Sequence, residues 1–364
     1  MKKLTFIYII EITSIFSVFK WNLQIKKNLL KTKGEKFLVR MKDVAEMAGV
    51  SLITVSRVLN APELVKDETK ARVEEAIKEL KFVPNYTAKA LAENKTRVIY
   101  LYIPKESSLD ELVNMNLISG IMAHLSEKQY SLQITRNFEL PQKCDGMIII
   151  GRNGLEEDMD SKIRVPYVVF GRSNLNVDHV DVNNYKGSYD MTKYLISKGH
   201  KDILFLKINN ENIRFNERFR GYKDALLDSD IKFKESLVID IDENQEQLAY
   251  LAIRYSEKIE KATALFCSTD LSAIGAYRAL KEKNIVIPKD ISVVGFDGLA
   301  NEVVPLTTVK QPIYNVGERL AEILINRINN RSKEIERVLL EPQIIESKTS
   351  GCTSLLGKDL NLAL

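Results

Sequence analysis

The chain is poor in the residues that build small secreted folds and in those that carry much of enzyme chemistry. Its 364 residues hold three cysteines, Cys144, Cys267 and Cys352. Widely spaced and odd in number, they argue for reduced thiols and against a disulfide framework or a zinc site. Histidine is equally scarce, and His124, His179 and His200 lack metal-ligand spacing. No Gly-rich phosphate loop, nucleophile elbow or HExxH motif occurs. The expectation is therefore no catalytic residue, no metal, no cofactor and no enzyme. A long apolar run is also missing. Leu4 to Phe19 is largely apolar but broken by Glu11, and at roughly sixteen residues it is short for a membrane span. No small-residue cleavage site follows it before the polar stretch Lys26 to Lys36, which argues against a secretory signal.

What is present is a composition 45% hydrophobic and 28% charged, that of a globular chain long enough for two or three domains. The net charge of +4 invites a nucleic-acid reading, but residues 1–40 contribute +7 and the remainder is about −3. Affinity for DNA must then come from placed charges such as Arg57, Lys66, Lys70 and helix N-termini near phosphates, not from bulk charge.

The stretch Met41 to Leu91 organises the rest. In Lys42-Asp43-Val44-Ala45-Glu46-Met47-Ala48 the apolar Val44, Ala45 and Ala48 share one helical face. Gly49 supplies a tight turn, Val50 plugs the core and Ser51 stands as N-cap. A second helix over Leu52 to Leu59 turns Val55, Val58 and Leu59 inward and leaves Leu52, Ile53, Ser56 and Arg57 outside. That is a helix-turn-helix whose outer face fits a major groove. A third helix over Asp67 to Lys81 buries Val73, Ala76, Ile77 and Leu80, and Pro84 ends the unit. The string DVAEMAGVSLITVSRVLN, then Val65, Thr69, Val73, Leu80 and Phe82-Val83-Pro84-Asn85, closely resembles the DNA-binding headpiece of the lactose-repressor (LacI/GalR) family of bacterial transcription regulators.

That resemblance implies a fold and a division of labour. An all-α helix-turn-helix headpiece over 39–84 precedes a hinge helix and linker over 85–96. An α/β periplasmic-binding-protein-like core of two lobes with parallel sheets then spans 97–350, with a tail over 351–364. Lobe one is expected over about 97–172 and 312–329, lobe two over about 173–309 and 330–350. Family members begin just before their Lys-Asp-Val-Ala, so residues 1–38 read as a misassigned upstream extension. Lys33-Gly34-Glu35 matches the translation of a purine-rich ribosome-binding sequence. Expected DNA contacts are Ser51, Leu52, Ile53, Thr54, Ser56, Arg57 and Asn60, joined by Asn85, Ala88 and Leu91 of the hinge, with Leu91 a minor-groove wedge. Arg57 is the residue expected to read a guanine through its bidentate fork.

From Arg97 onward, short apolar strands alternate with helices, as parallel sheets covered on both faces require. Expected strands include 98–103, 131–135, 147–150, 167–170, 203–206, 236–239, 264–267 and 292–296. Helices are expected over 112–128, 186–198, 218–227, 246–258, 271–283 and 314–329. Ligands of such sheets sit beyond the carboxyl ends of strands. By resemblance, Arg218, Asp297 and Gln311 line the effector cleft; Arg172 and Asp270, each just after a strand, join them. Guanidinium and carboxylate groups suit a polyhydroxylated ligand.

The chain departs from the family pattern in three places: the loop Lys105-Glu106-Ser107-Ser108, the short connection Arg136 to Gly146, and Asn183-Asn184 where an Asp-Asn pair is usual. The expected partners are a double-stranded DNA operator, a small effector of sugar type and a second copy of the chain, in a cytoplasmic allosteric repressor with no membrane contact. The tail Gly351 to Leu364 is too short for a coiled coil, so a homodimer is expected. Two alternatives stay open: a membrane-associated regulator if the N-terminal apolar segment is real, and a co-repressor-dependent regulator answering a non-sugar metabolite.

Overall fold

A computed structural model describes residues 39–82, 95–104, 112–138, 143–151, 162–173, 175–209, 213–299, 304–330 and 334–353. They fall into two compact units that divide near residue 90.

The first unit is three helices, α1 (Met41–Ala48), α2 (Leu52–Asn60) and α3 (Asp67–Leu80). Val44, Ala45 and Ala48 of α1, Val55 and Val58 of α2, and Val73 and Ala76 of α3 close on Phe82 in one core. Gly49 makes the turn between α1 and α2 at φ 63°, a left-handed conformation that side chains with a Cβ resist. The Ser51 hydroxyl accepts the Thr54 N–H at 3.1 Å, so the expected N-cap of α2 is made. Lys66 at the start of α3 makes no side-chain cap; Asp67 and Glu68 in its first turn supply the favourable charge instead.

The second unit holds two six-stranded sheets. Its elements in chain order begin with β1 (Val98–Tyr102), α4 (Leu112–Glu127), β2 (Ser131–Thr135), β3 (Gly146–Ile150), β4 (Tyr167–Phe170) and β5 (His179–Val182). There follow α5 (Asn184–Ser197), β6 (Ile203–Ile208), α6 (Ile213–Leu227), β7 (Val238–Ile241), α7 (Glu246–Arg254), β8 (Ala264–Cys267) and α8 (Asp270–Glu282). The series closes with β9 (Ser292–Asp297), β10 (Thr307–Lys310), α9 (Ile313–Asn330), β11 (Arg337–Leu340) and β12 (Gln343–Ile345). Sheet one runs β11-β5-β4-β3-β1-β2 and sheet two β12-β10-β9-β8-β6-β7. Strands such as β3 and β8 are buried at every position because helices cover both faces. α4 and α9 pack Leu117, Ile121, Leu320 and Leu324 on sheet one. Sheet two carries Met191, Tyr222 and Leu226 on one face and Ala276, Leu280 and Ile253 on the other. Strand order reverses between β1 and β3 in the first sheet and between β6 and β8 in the second. The crevice beyond such a reversal is where ligands of these sheets bind.

The structure corrects the expected lobe boundaries. Strands β5 and β11, placed by the sequence in lobe two, pair with each other in parallel at the edge of sheet one. The chain therefore first crosses between lobes after Val182 and last crosses after Leu340. The reason is register: His179 pairs with both Val169 and Arg337, a long-range match that no local pattern encodes. Sheet two is also not purely parallel, since β12 runs antiparallel to β10. The strand expected at 236–239 begins as a single 3₁₀ turn over Glu235–Leu237 and becomes β7 only afterwards. The helix expected at 218–227 starts five residues earlier, at Ile213, and the one expected to reach residue 258 ends at Arg254. The hinge residues Asn85, Ala88 and Leu91, the loop 105–108, residues 1–38 and the tail from 354 onward lie outside the described residues.

Candidate functional site

In the first unit the face of α2 opposite its core is the surface to weigh. Val55 is fully buried, whereas Leu52 is 48% and Ile53 65% exposed. Arg57 is exposed one turn further on, Thr54 and Ser56 are half-buried beside it, and Asn60 ends the helix. Ser51 is occupied as the cap, its hydroxyl also within 2.9 Å of the Thr54 hydroxyl. Two exposed aliphatic side chains next to an Arg on a short helix form a surface suited to the methyl groups and acceptors of base edges. The three helices thus deliver Ser51, Leu52, Ile53, Thr54, Ser56, Arg57 and Asn60 on or beside one helix.

In the second unit Arg218 is the organising residue. It lies in the second turn of α6 and is 1% exposed. Its Nε donates to Asn184 Oδ1 at 2.9 Å, and its Nη1 donates to the Ser268 carbonyl at 2.6 Å and to Asp297 Oδ1 at 3.2 Å. The guanidinium lies over the Phe296 ring, 3.7 Å from its centroid. α6 follows β6 and Ser268 follows β8, so Arg218 sits at the strand-order reversal of sheet two. Gly221 lets α6 carry it there: a Cβ on Gly221 would stand 2.3 Å from the Tyr185 carbonyl of α5.

Asp297 ends β9 at φ 133°, a strained conformation for a residue with a side chain. Its Oδ1 also accepts from Gln311 Nε2 at 2.7 Å, and the Gln311 N–H donates to its carbonyl at 3.2 Å. Burial pushes the Asp297 carboxyl up to about 6 although Arg218 opposes the shift, and burial pulls the Arg218 guanidinium down to about 10. Desolvation outweighs the ion pair at both ends, as burial of charged groups does.

Of the five residues expected to line the cleft, Arg218, Asp297 and Gln311 are thus in direct contact. Asp270 lies beside this set, close enough for its charge to act on both Arg218 and Asp297. It is 2% exposed, accepts the Thr308 hydroxyl on one oxygen and the Leu299 N–H at 2.6 Å on the other, and so braces β10 and the loop after β9 from within. Arg172, beyond β4 of sheet one, reaches across to α6 and pairs with Glu217 Oε1 at 2.7 Å.

Three further residues belong to this constellation. Asn184, the first residue of α5, receives Arg218 while its own amide donates to the Val182 carbonyl at 3.0 Å. Its only signal in the sequence is the unusual Asn183-Asn184 pair. Glu217 and Asp181 carry no motif. Asp181, at the end of β5, has its carboxyl pushed up to about 6 by burial, with Glu217 adding to the rise and Arg172 opposing it. The arrangement offers donors and acceptors from both lobes at the ends of β4, β5, β8, β9 and β10. Among the described residues no His, Cys, Asp and Glu group is arranged to hold a metal, and no helix is long and apolar enough to cross a membrane. A separate surface groove of about 510 Å³ on the outer face of α7 and α8, lined by Tyr277, Arg278 and Lys281 among others, contains none of these groups.

These two units match known families. Residues 40–85 match the profile described as bacterial regulatory proteins, lacI family, and residues 192–350 match the periplasmic binding protein-like domain. The chain is 36% identical over 313 residues to the uncharacterized HTH-type transcriptional regulator YvdE of Bacillus subtilis (strain 168), covering 85% of this chain and 98% of that protein. It is 31% identical over 332 residues to the HTH-type transcriptional repressor PurR of Vibrio atlanticus (strain LGP32), covering 86% and 98%. Among solved structures, the transcriptional regulator CelR–cellobiose complex is similar with a TM-score of 0.64 at 28% identity, covering 85% of this chain and 99% of that one. The lac repressor dimer bound to operator and the anti-inducer ONPF shares the fold, with a TM-score of 0.65 at 24% identity over 86% of this chain and 99% of that one. Helix-turn-helix unit and two-lobed α/β core together define a DNA-binding transcriptional regulator, not an enzyme. The chain belongs to the lacI family of bacterial regulatory proteins.

Proposed function

We propose that the protein is a repressor that binds a near-palindromic operator as a homodimer and is released from it by a neutral saccharide bound between the lobes of its core. The observation that carries the ligand reading is the contact set of buried Arg218 with partly exposed Asp297 and Gln311 at the carboxyl ends of sheet two, faced by Arg172 from sheet one. Planar guanidinium, carboxylate and amide groups present paired donors and acceptors for vicinal hydroxyls. The cellobiose complex of a relative sharing 28% identity is consistent with that class of ligand. A ligand that contacts both lobes binds their closed arrangement better than the open one, and that difference is what shifts operator affinity. The paired headpieces read half-sites through α2, with Arg57 on a guanine and Leu52 and Ile53 making methyl or shape contacts, while the hinge residues Asn85, Ala88 and Leu91 reach the minor groove.

The test is selection of operator fragments from sheared genomic DNA by the purified full chain, with and without a panel of saccharides. Recovery of one short palindrome, released by one saccharide, is the expected result; tighter retention with the saccharide would make it a co-repressor. Recovery of no preferred sequence under any condition would overturn the reading. On the recovered operator, Arg57→Ala is expected to lose about 1–3 kcal/mol of discrimination at a single base pair.

A further inference from the structure

Two open aliphatic side chains stand at the start of α2. Leu52 and Ile53 are its first and second residues, and in a helix-turn-helix the N-terminal residues of the second helix are the ones that meet base edges. They are 48% and 65% exposed, whereas Val55 and Val58 of the same helix are buried in the headpiece core. Neither Leu52 nor Ile53 has a side-chain donor or acceptor. The hydroxyls beside them are engaged in starting the helix: that of Ser51 accepts the Thr54 N–H at 3.1 Å and lies 2.9 Å from that of Thr54. Burying such side chains against DNA without an apolar partner would gain nothing, and the major groove offers one apolar group, the C5 methyl of thymine.

That methyl is not confined to thymine. 5-Methylcytosine carries it on the same ring carbon and differs at the neighbouring position, where an amino donor replaces the carbonyl acceptor. A hydrogen-bonding side chain is stopped by that exchange. An aliphatic one is not, because it touches the methyl and makes no bond to the polar atom. Uracil is the converse case, with the acceptor kept and the methyl lost.

We propose that Leu52 and Ile53 read the C5 methyl group itself, so that the recognition helix accepts 5-methylcytosine in place of thymine and its binding responds to cytosine methylation of the DNA. This rests on the reading of α2 as the operator-binding helix.

The experiment starts with the purified full chain and a pool of randomised synthetic duplexes at one salt concentration, from which the preferred half-site is recovered. Each thymine of that half-site is then replaced by uracil, which keeps the base pair and removes only the methyl. At one or two neighbouring positions, uracil is expected to weaken binding about fourfold for each methyl removed. A cytosine–guanine pair placed there is expected to bind weakly, and its 5-methylcytosine form about fourfold more tightly. Leu52→Ala and Ile53→Ala, neither of which alters the headpiece core, are compared after their circular dichroism spectra are shown to be unchanged. At least one of them is expected to bind the thymine and uracil duplexes alike, bringing the ratio to about one. A side chain that only supported the helix would weaken both duplexes together and leave the ratio in place. Uracil duplexes that all bind as tightly as thymine, a 5-methylcytosine duplex no tighter than its cytosine form, or a ratio that survives in both variants would overturn the inference while leaving a sequence-specific regulator standing. Recovery of no preferred half-site would overturn the operator reading and this inference with it.

Discussion

Asp181 and Asp297 are carboxyls whose ordinary value near 3.8 is pushed by burial to about 6. Between those values the folded chain keeps protons that the unfolded chain has released. Stability of the core therefore falls as pH rises from about 4 to about 6, each group accounting for about 2–3 kcal/mol. Asp181→Asn keeps the acceptor oxygen that takes the Val182 N–H at 2.8 Å but removes the titration. Urea unfolding of the core at pH 4.5 and 6.5 is expected to show a smaller pH difference in this variant than in the parent; an equal difference would assign the slope elsewhere. At this scale the sequence was informative unevenly. Arg218, Asp297 and Gln311 were legible because each sits in a recognisable string after a strand or before Gly-Tyr. Asp270 follows a strand as well, but its carboxylate turns inward to Thr308 and the Leu299 N–H. Glu217 and Asp181 were not legible at all, since Glu217 meets Arg172 from the other lobe and Asp181 is defined by its burial and the charges around it.

The helix that carries Arg218 and Glu217 is positioned by its packing on α5. There the Gly221 position touches backbone: a Cβ would approach the Tyr185 carbonyl to 2.3 Å and the Tyr189 N–H nitrogen to 2.9 Å. Gly221→Ala is therefore expected to push α6 off α5, to cost about 1–3 kcal/mol as overpacking does, and to weaken ligand binding by moving Arg218. Chemical denaturation and titration with the ligand found for the parent check both parts; retained stability and affinity would mean that the helix pair yields without consequence. The element pattern was mostly readable. α1, α2 and α3 emerged near their expected bounds because their apolar spacing, the Ser51 cap and the Gly49 turn agree with one another. β5 and β11 were assigned to the wrong lobe because a four-residue strand specifies burial but not its neighbour. The start of α6 at Ile213 was missed because Ile213-Arg214-Phe215-Asn216 has no cap signature to mark it.

At the scale of the whole molecule, the headpiece core of Val44, Val55 and Val73 is separate from the cores of the two lobes. Two unfolding transitions are expected in calorimetry. A ligand held only by the core stabilises it by mass action, about 2.7 kcal/mol at a hundredfold excess over Kd, and leaves the headpiece transition in place. Scans with and without the operator-releasing saccharide test this. A single transition, or a headpiece transition that moves with the ligand in the absence of DNA, would show that the units are coupled more tightly than their separate cores suggest.

The sequence by itself determined the class of the molecule: a helix-turn-helix whose caps, turn and buried face lie within forty residues, followed by the alternation of strands and helices that parallel sheets require. Those features are local, set by periodicity, capping and backbone freedom, so they can be read along the chain. Only the tertiary structure decided which strands share a sheet, that Arg218, Asp297 and Gln311 join in one hydrogen-bonded set with Asp270 tied to Thr308 and Leu299 beside it, and that Glu217 meets Arg172 with one oxygen left over. Each of these depends on side chains tens of residues apart meeting in a medium of low dielectric, where a charge is defined by its partner and not by its neighbours in sequence.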